Sequence, residues 1–260
     1  MTPPVGVKAP PLPRPRPRAV LLDAFGTLIS LDAPAPLLRA LLERRLGLVL
    51  SERQAAAAVA AEVAYYRTHM HQGADARSLA ALHDRCAAVL RDALPPSAEL
   101  AAATPEVMRS ILLDMLRFRV FAEVPGVLAR LRGAGLRLVV ASNWDVSLSE
   151  VLDRLGLAEL VDGVVSSAAA GAAKPNPRLL EAALALAGVA PAQAVHVGDS
   201  LAEDVGAARA AGVPAVLLVR EPAAPQTGGG GAVPAGRPAA VPVIGSLQEL
   251  PALIGVSETE

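Results

Sequence analysis

Aromatic residues make up only 2% of this chain: Trp144, Tyr65, Tyr66, Phe25, Phe118 and Phe121. So few rings argue against a base-stacking surface for nucleic acid. The formal net charge is −1, so no basic excess marks a nucleic-acid partner or an anionic membrane face. A single cysteine, Cys86, excludes an intrachain disulfide and suits a reducing cytoplasm, the expected location. No uncharged apolar run is long enough to span a bilayer. Asp23 interrupts the one apolar run that follows the N-terminal arginines, so a secretory leader is not expected. Lysine is nearly missing, present only at Lys8 and Lys174. The imbalance with arginine reads as compositional bias, but it makes Lys174 worth inspecting.

What is abundant is apolar. Hydrophobic residues reach 53% of 260, enough for a sizeable core with an inserted smaller unit. Much of that fraction is alanine, which favours helix. Residues 1–17 alternate proline with small and basic residues. They read as a disordered arm, or as a polyproline II ligand for a proline-recognising domain.

The stretch RAVLLD, ending at Asp23, reads as a buried strand before a glycine turn. Residues 34–118 carry apolar residues at helical spacing, with breaks near Gly47, Gly73 and Pro95–Pro96 and a helix start at Ser51. The pattern predicts a helical bundle without strands. From residue 125 onward helix and strand patterns alternate, which predicts parallel βαβ units and a doubly wound sheet. Residues 221–240 are rich in Pro, Gly and Ala and read as a flexible loop. The expected class is therefore α/β: a Rossmann-like parallel-sheet core (18–33 and 119–260) interrupted by an α-helical cap (34–118).

Four short stretches carry chemistry. Asp23, in LLDAFGTL, falls at the C-terminal end of the first strand, where open α/β sheets bind ligands. A carboxylate there can serve as a nucleophile or merely cap the turn before Gly26. Ser142 and Asn143 end the strand LRLVVAS, where a hydroxyl and backbone N–H groups can hold anion oxygens or cap a helix. Lys174, in GAAKPNP, could neutralise a nucleophile and a phosphate, or be a solvated surface lysine. Asp199 and Asp204, in VHVGDSLAED, could form a hard oxygen site suited to Mg²⁺ or act as helix N-terminal acids, a role that also suits Glu203. His196 reads as a core histidine. Tyr65, Tyr66, Arg67, His69 and His71 share one helix of the insert, as specificity groups or as core tyrosines beside a solvated face.

In this order and on these elements, the stretches resemble the haloacid dehalogenase-like superfamily over roughly residues 18–220. SNWD and GDS with its following aspartate look most like the phosphatase branch with a helical cap after the first motif. The resemblance implies an enzyme with Asp23 as nucleophile and with Ser142, Asn143 and Lys174 on the phosphoryl group. It also implies Mg²⁺ at Asp23, Asp199 and the backbone carbonyl of Phe25, with Asp204 in support. The implied partner is a small phosphorylated molecule, not a nucleic acid or a membrane.

Phe25 departs from the pattern. Phosphatases of the family usually carry an aspartate there as general acid and base, and phenylalanine can neither donate nor accept a proton. Two further readings stay open on this ground. One is a 2-haloacid dehalogenase, whose relatives also lack that aspartate but carry serine–asparagine–aspartate in the last motif. The other is a catalytically weak pseudo-hydrolase that binds a phosphorylated ligand. A phosphonate hydrolase is excluded, because its Schiff base needs a cap lysine and residues 34–118 contain none.

Overall fold

A computed structural model describes residues 16–220 and 241–256. Most of the expected N-terminal arm, up to residue 15, and the expected loop at 221–240 lie outside the described residues. The strands run β1 (Ala19–Leu22), β2 (Ile29–Leu31), β3 (Phe118–Val120), β4 (Arg137–Ser142), β5 (Gly163–Ser166), β6 (Ala194–Gly198), β7 (Ala215–Leu218) and β8 (Val243–Ile244). Six of them form a parallel sheet in the order β5-β4-β1-β6-β7-β8.

β1 lies at the centre because it can be covered on both faces. Ala19, Val20, Leu21 and Leu22 are all fully buried, the apolar run expected of a central parallel strand. The even side, Val20 and Leu22, packs with Val140, Val197 and Leu128, and the odd side, Ala19 and Leu21, packs with Leu180, Ala183 and Ala207. Helices thus cover both faces, and the topology reverses beside β1. In such sheets the ligand crevice opens at the C-terminal ends of the strands at that reversal.

Between β2 and β3 the chain makes five helices: α1 (Pro34–Leu46), α2 (Glu52–His69), α3 (Ala76–Asp92), α4 (Ala98–Ala102) and α5 (Pro105–Met115). They enclose a separate apolar core that includes Leu38, Leu42, Ala55, Leu82, Leu90, Ile111 and Met115. Ser51 starts α2 with a reciprocal cap to Gln54, satisfying orphan amides of the first turn. Gly47 ends α1 at φ 70°, a left-handed turn that glycine adopts without strain. The chain leaves for this cap through β2 and returns through β3, and the two pair antiparallel. The expectation of no strand within residues 34–118 is corrected at its last residue, since β3 begins at Phe118. Three residues are too few for an alternating pattern to stand out from the end of a helix. No helix among the described residues is long and apolar enough to cross a membrane.

One acid sits badly in the cap. Glu62 is only 4% exposed, and burial pushes its carboxyl up to about 7, with a hydrogen bond to Cys86 opposing the rise. Between pH 4.5 and pH 7 the folded protein keeps a proton that the unfolded chain has released. Stability therefore falls as pH rises through this window and levels off above it. The ionised acid costs up to about 3 kcal/mol at pH 8. Glu62→Gln is expected to raise the melting temperature at pH 8 and to leave it nearly unchanged at pH 4.5. Equal shifts at both pH values in thermal unfolding would contradict this.

Candidate active site

Three central strands end in polar side chains that meet. Asp23 follows β1, and its amide donates to Val197 O of β6 at 2.9 Å, which ties the turn to the sheet. Ser142, the last residue of β4, donates from Oγ to Asp23 Oδ1 at 2.9 Å. Lys174 arrives from the loop that follows β5 and the short helix Ser167–Ala170. Its Nζ donates to Asp23 Oδ1 at 2.6 Å, to Asp204 Oδ1 at 2.6 Å and to Ala141 O at 3.0 Å. The Lys174 side chain is 1% exposed, so it is no solvated surface lysine.

Asn143 fixes where that lysine enters. Its Oδ1 accepts from Lys174 N at 2.7 Å, and its Nδ2 donates to Lys174 O at 3.1 Å. The Asn143 amide group is thus engaged with the lysine backbone.

Asp204 is drawn under the sheet by a π-helical turn, Leu201–Val205, a form whose extra residue re-aims a side chain. Its Oδ1 meets Lys174 Nζ and His196 Nε2, and its Oδ2 accepts from Ser200 N at 2.9 Å. Both Asp204 oxygens are therefore occupied. Gly198 makes this approach possible, because a Cβ there would lie 2.1 Å from Asp204 Cγ. Gly26 does the same for Asp199: it sits at φ +81°, and a Cβ would lie 2.1 Å from Asp199 Oδ2. The two motif glycines let backbone approach carboxylate closer than any side chain allows.

Three carboxylates face one ammonium. Burial raises the Asp23 carboxyl above its ordinary value, opposed by Lys174 and reinforced by Asp204. Burial acts to lower the Lys174 ammonium, but Asp23 and Asp204 outweigh it and hold the group above its ordinary range. Burial likewise acts to raise Asp204, and the Lys174 charge and the His196 hydrogen bond overcome it. Asp199 is compensated less: burial, then the Asp23 and Asp204 charges, push it up to about 7 against the opposing Lys174 charge.

This donor set fits a divalent cation. Ligand atoms of Asp23, Asp199 and Asp204 lie within 4.8 Å of one another. Asp204 is already committed to Lys174, His196 and Ser200 N, whereas both hydrogen bonds on Asp23 use Oδ1. Asp23 Oδ2 and the Asp199 carboxylate are thus the hard oxygens left over, and hard oxygens suit Mg²⁺. Phe25 lies on the turn beside them and is 37% exposed.

Several contacts around the cluster carried no sequence signal. His196 is fully buried and uses Nε2 on Asp204 and Nδ1 on Leu21 O, so this core histidine also touches the site. From α2 of the cap, Tyr66 Oη donates to Asp145 Oδ2 at 2.9 Å and Arg67 pairs with Glu203 at 3.0 Å. Glu203 also accepts from Asn143 Nδ2 at 3.2 Å, so it is more than a helix-terminal acid. Tyr65 and His69 instead stack on each other at 4.0 Å within the cap, and His71 is exposed.

A doubly wound core with a helical cap and a carboxylate cluster at the strand ends define the α/β class of this protein. A family model described as haloacid dehalogenase-like hydrolase matches residues 17–212. The chain belongs to that family. It is 39% identical over 121 residues to haloacid dehalogenase-like hydrolase domain-containing protein 3 of Bos taurus, covering 45% of this chain and 48% of that protein. It is 36% identical over 133 residues to a phosphoserine phosphatase of Thermus thermophilus, covering 51% and 53%. The chain thus spans about half the length of these curated relatives. A solved HAD phosphatase from Thermococcus onnurineus superposes with a TM-score of 0.60 over 93% of this chain and all of that one, at 22% identity, a likeness of fold.

Proposed function

We propose that this protein is a Mg²⁺-dependent phosphatase of small phosphorylated metabolites, with Asp23 as nucleophile and with acid–base assistance weakened at Phe25. The observation that carries the reading is the convergence of Lys174 and Ser142 on one Asp23 oxygen, in a cluster where ligand oxygens of Asp23, Asp199 and Asp204 lie within 4.8 Å of one another. Relatives named phosphoserine phosphatase and phosphoglycolate phosphatase support the substrate class. The free, buried Cys86 fits a reducing compartment, and we place the protein in the cytoplasm.

In this mechanism Asp23 attacks phosphorus and the bond to the ester oxygen breaks, leaving an aspartyl phosphate. The departing oxygen takes its proton from solvent, since residue 25 has none to give. Water then attacks the aspartyl phosphate, releasing phosphate and restoring the carboxylate. Lys174 and Ser142 offset the repulsion between two anions and steady the equatorial oxygens. Asp23, Asp199 and the Phe25 carbonyl would hold Mg²⁺, with Asp204 keeping Lys174 in place. The ion supplies Lewis-acid polarisation of a phosphoryl oxygen. Residues 34–118 act as the cap over this crevice.

The retained Asp199 and Asp204 favour phosphoryl over halide chemistry. Phosphate release that needs Mg²⁺ is expected from a panel of phosphate esters, acyl phosphates and 2-haloacids. Asp199→Asn should weaken Mg²⁺ binding about 10- to 100-fold, read by calorimetry. Halide release undiminished by excess chelator would replace this reading with the dehalogenase one.

A further inference from the structure

We propose that Arg220 is a positioning residue for the active site, holding the Phe25–Gly26–Thr27 turn and the roots of both cap connections. The inference rests on the reading that this turn presents the Phe25 carbonyl beside Asp199. Arg220 lies two residues beyond β7, on the far side of the turn. Its Nε donates to Gly26 O at 3.1 Å and its Nη2 to Thr27 O at 2.7 Å. Its Nη1 reaches Glu123 Oε1 at 2.5 Å, and the guanidinium carbon sits 3.6 Å from the centre of the Phe121 ring.

These partners bracket the cap. Gly26 and Thr27 precede β2, the strand that leaves for the cap, and Phe121 and Glu123 follow β3, the strand that returns. Phe121 N also donates to Leu28 O at 3.1 Å, which closes the ring of contacts. The Arg220 and Glu123 side chains are only 18% and 13% exposed, so this is no screened surface pair. The planar fork reaches the two successive carbonyls and the carboxylate through three separate nitrogens, a spread that a lysine's single nitrogen does not reproduce.

The turn needs an external hold. Its amides bond inward, with Gly26 N on Ile29 O and Leu28 N on Ala24 O, both at 2.8 Å. The Gly26 and Thr27 carbonyls are taken by Arg220. Thr27 Oγ1 is buried with no partner, so the turn does not satisfy itself. The route from Arg220 to the chemistry is short, because Gly26 packs directly against the Asp199 carboxylate. A displaced turn moves Asp199 and the Phe25 carbonyl relative to each other.

The test uses the full chain with Arg220→Met and Arg220→Lys. Mg²⁺ affinity is measured by calorimetry without substrate, and amide exchange is followed over residues 24–31. Arg220→Met is expected to weaken Mg²⁺ binding about 10-fold, to speed exchange of that segment, and to lower kcat more than it raises KM. Arg220→Lys should restore only a minor part of each, and should still show the effect if Arg220→Met does not fold. A remote core variant, Leu184→Ala, should lose stability and move neither readout. Unchanged Mg²⁺ affinity and unchanged exchange in a folded Arg220 variant would overturn the proposal. Wild-type protein that binds no Mg²⁺ would instead defeat the proposed function, and the exchange measurement would still decide whether Arg220 holds the turn.

Discussion

Lys174→Met is expected to abolish turnover and to destabilise the protein by about 3–5 kcal/mol at neutral pH. The ammonium is the shared partner of Asp23 and Asp204, each at 2.6 Å and each almost fully buried. Removing it strands two desolvated carboxylates next to Asp199 and takes from Asp199 a charge that opposes its own rise. The available relief is protonation, and a protonated Asp23 is no nucleophile. Stability of the variant should therefore recover as pH falls from 8, because the folded variant then holds protons on these carboxylates that the unfolded chain releases above its ordinary carboxylate range. Urea unfolding at pH 5 and pH 8 checks this. A stable, active Lys174→Met would remove the electrostatic basis of the site.

Phe25→Asp should raise steady-state hydrolysis of alkyl phosphates by about 10²-fold, the lower end of what a positioned acid or base contributes. The wild-type position offers no group that can give a proton to the leaving oxygen or take one from water. Acyl and aryl phosphates, whose leaving groups need little protonation, should gain less. Phe25 is 37% exposed, so removing its ring costs little packing. No change in rate would mean that another residue already moves the proton.

How much of this was legible depended on range. Asp23, Ser142 and Asp199 stand at or directly after strand ends, and Lys174 and Asp204 lie in the segments that follow β5 and β6; alternating helix and strand patterns put such ends on one edge of a parallel sheet. The scarcity of lysine made Lys174 conspicuous. What stayed hidden depends on pairs far apart in the chain. Tyr66 and Asp145 are 79 residues apart, Arg67 and Glu203 are 136, and Arg220 and Thr27 are 193. No periodicity links them. His196 read as core, and its side chain is fully buried, but its reach to Asp204 needs the π-helical turn at Leu201–Val205. The β2–β3 ribbon was hidden because each strand has only three residues.

The most direct measurement is rapid acid quenching of wild type, Asp23→Asn and Phe25→Asp after mixing with labelled acetyl phosphate and Mg²⁺. Label should accumulate on wild-type protein as an alkali-labile aspartyl phosphate. It should be missing from Asp23→Asn and nearly missing from Phe25→Asp, where water attack is assisted. Phosphate release by wild type and Asp23→Asn alike, with no label trapped on either, would show that Asp23 is not the nucleophile.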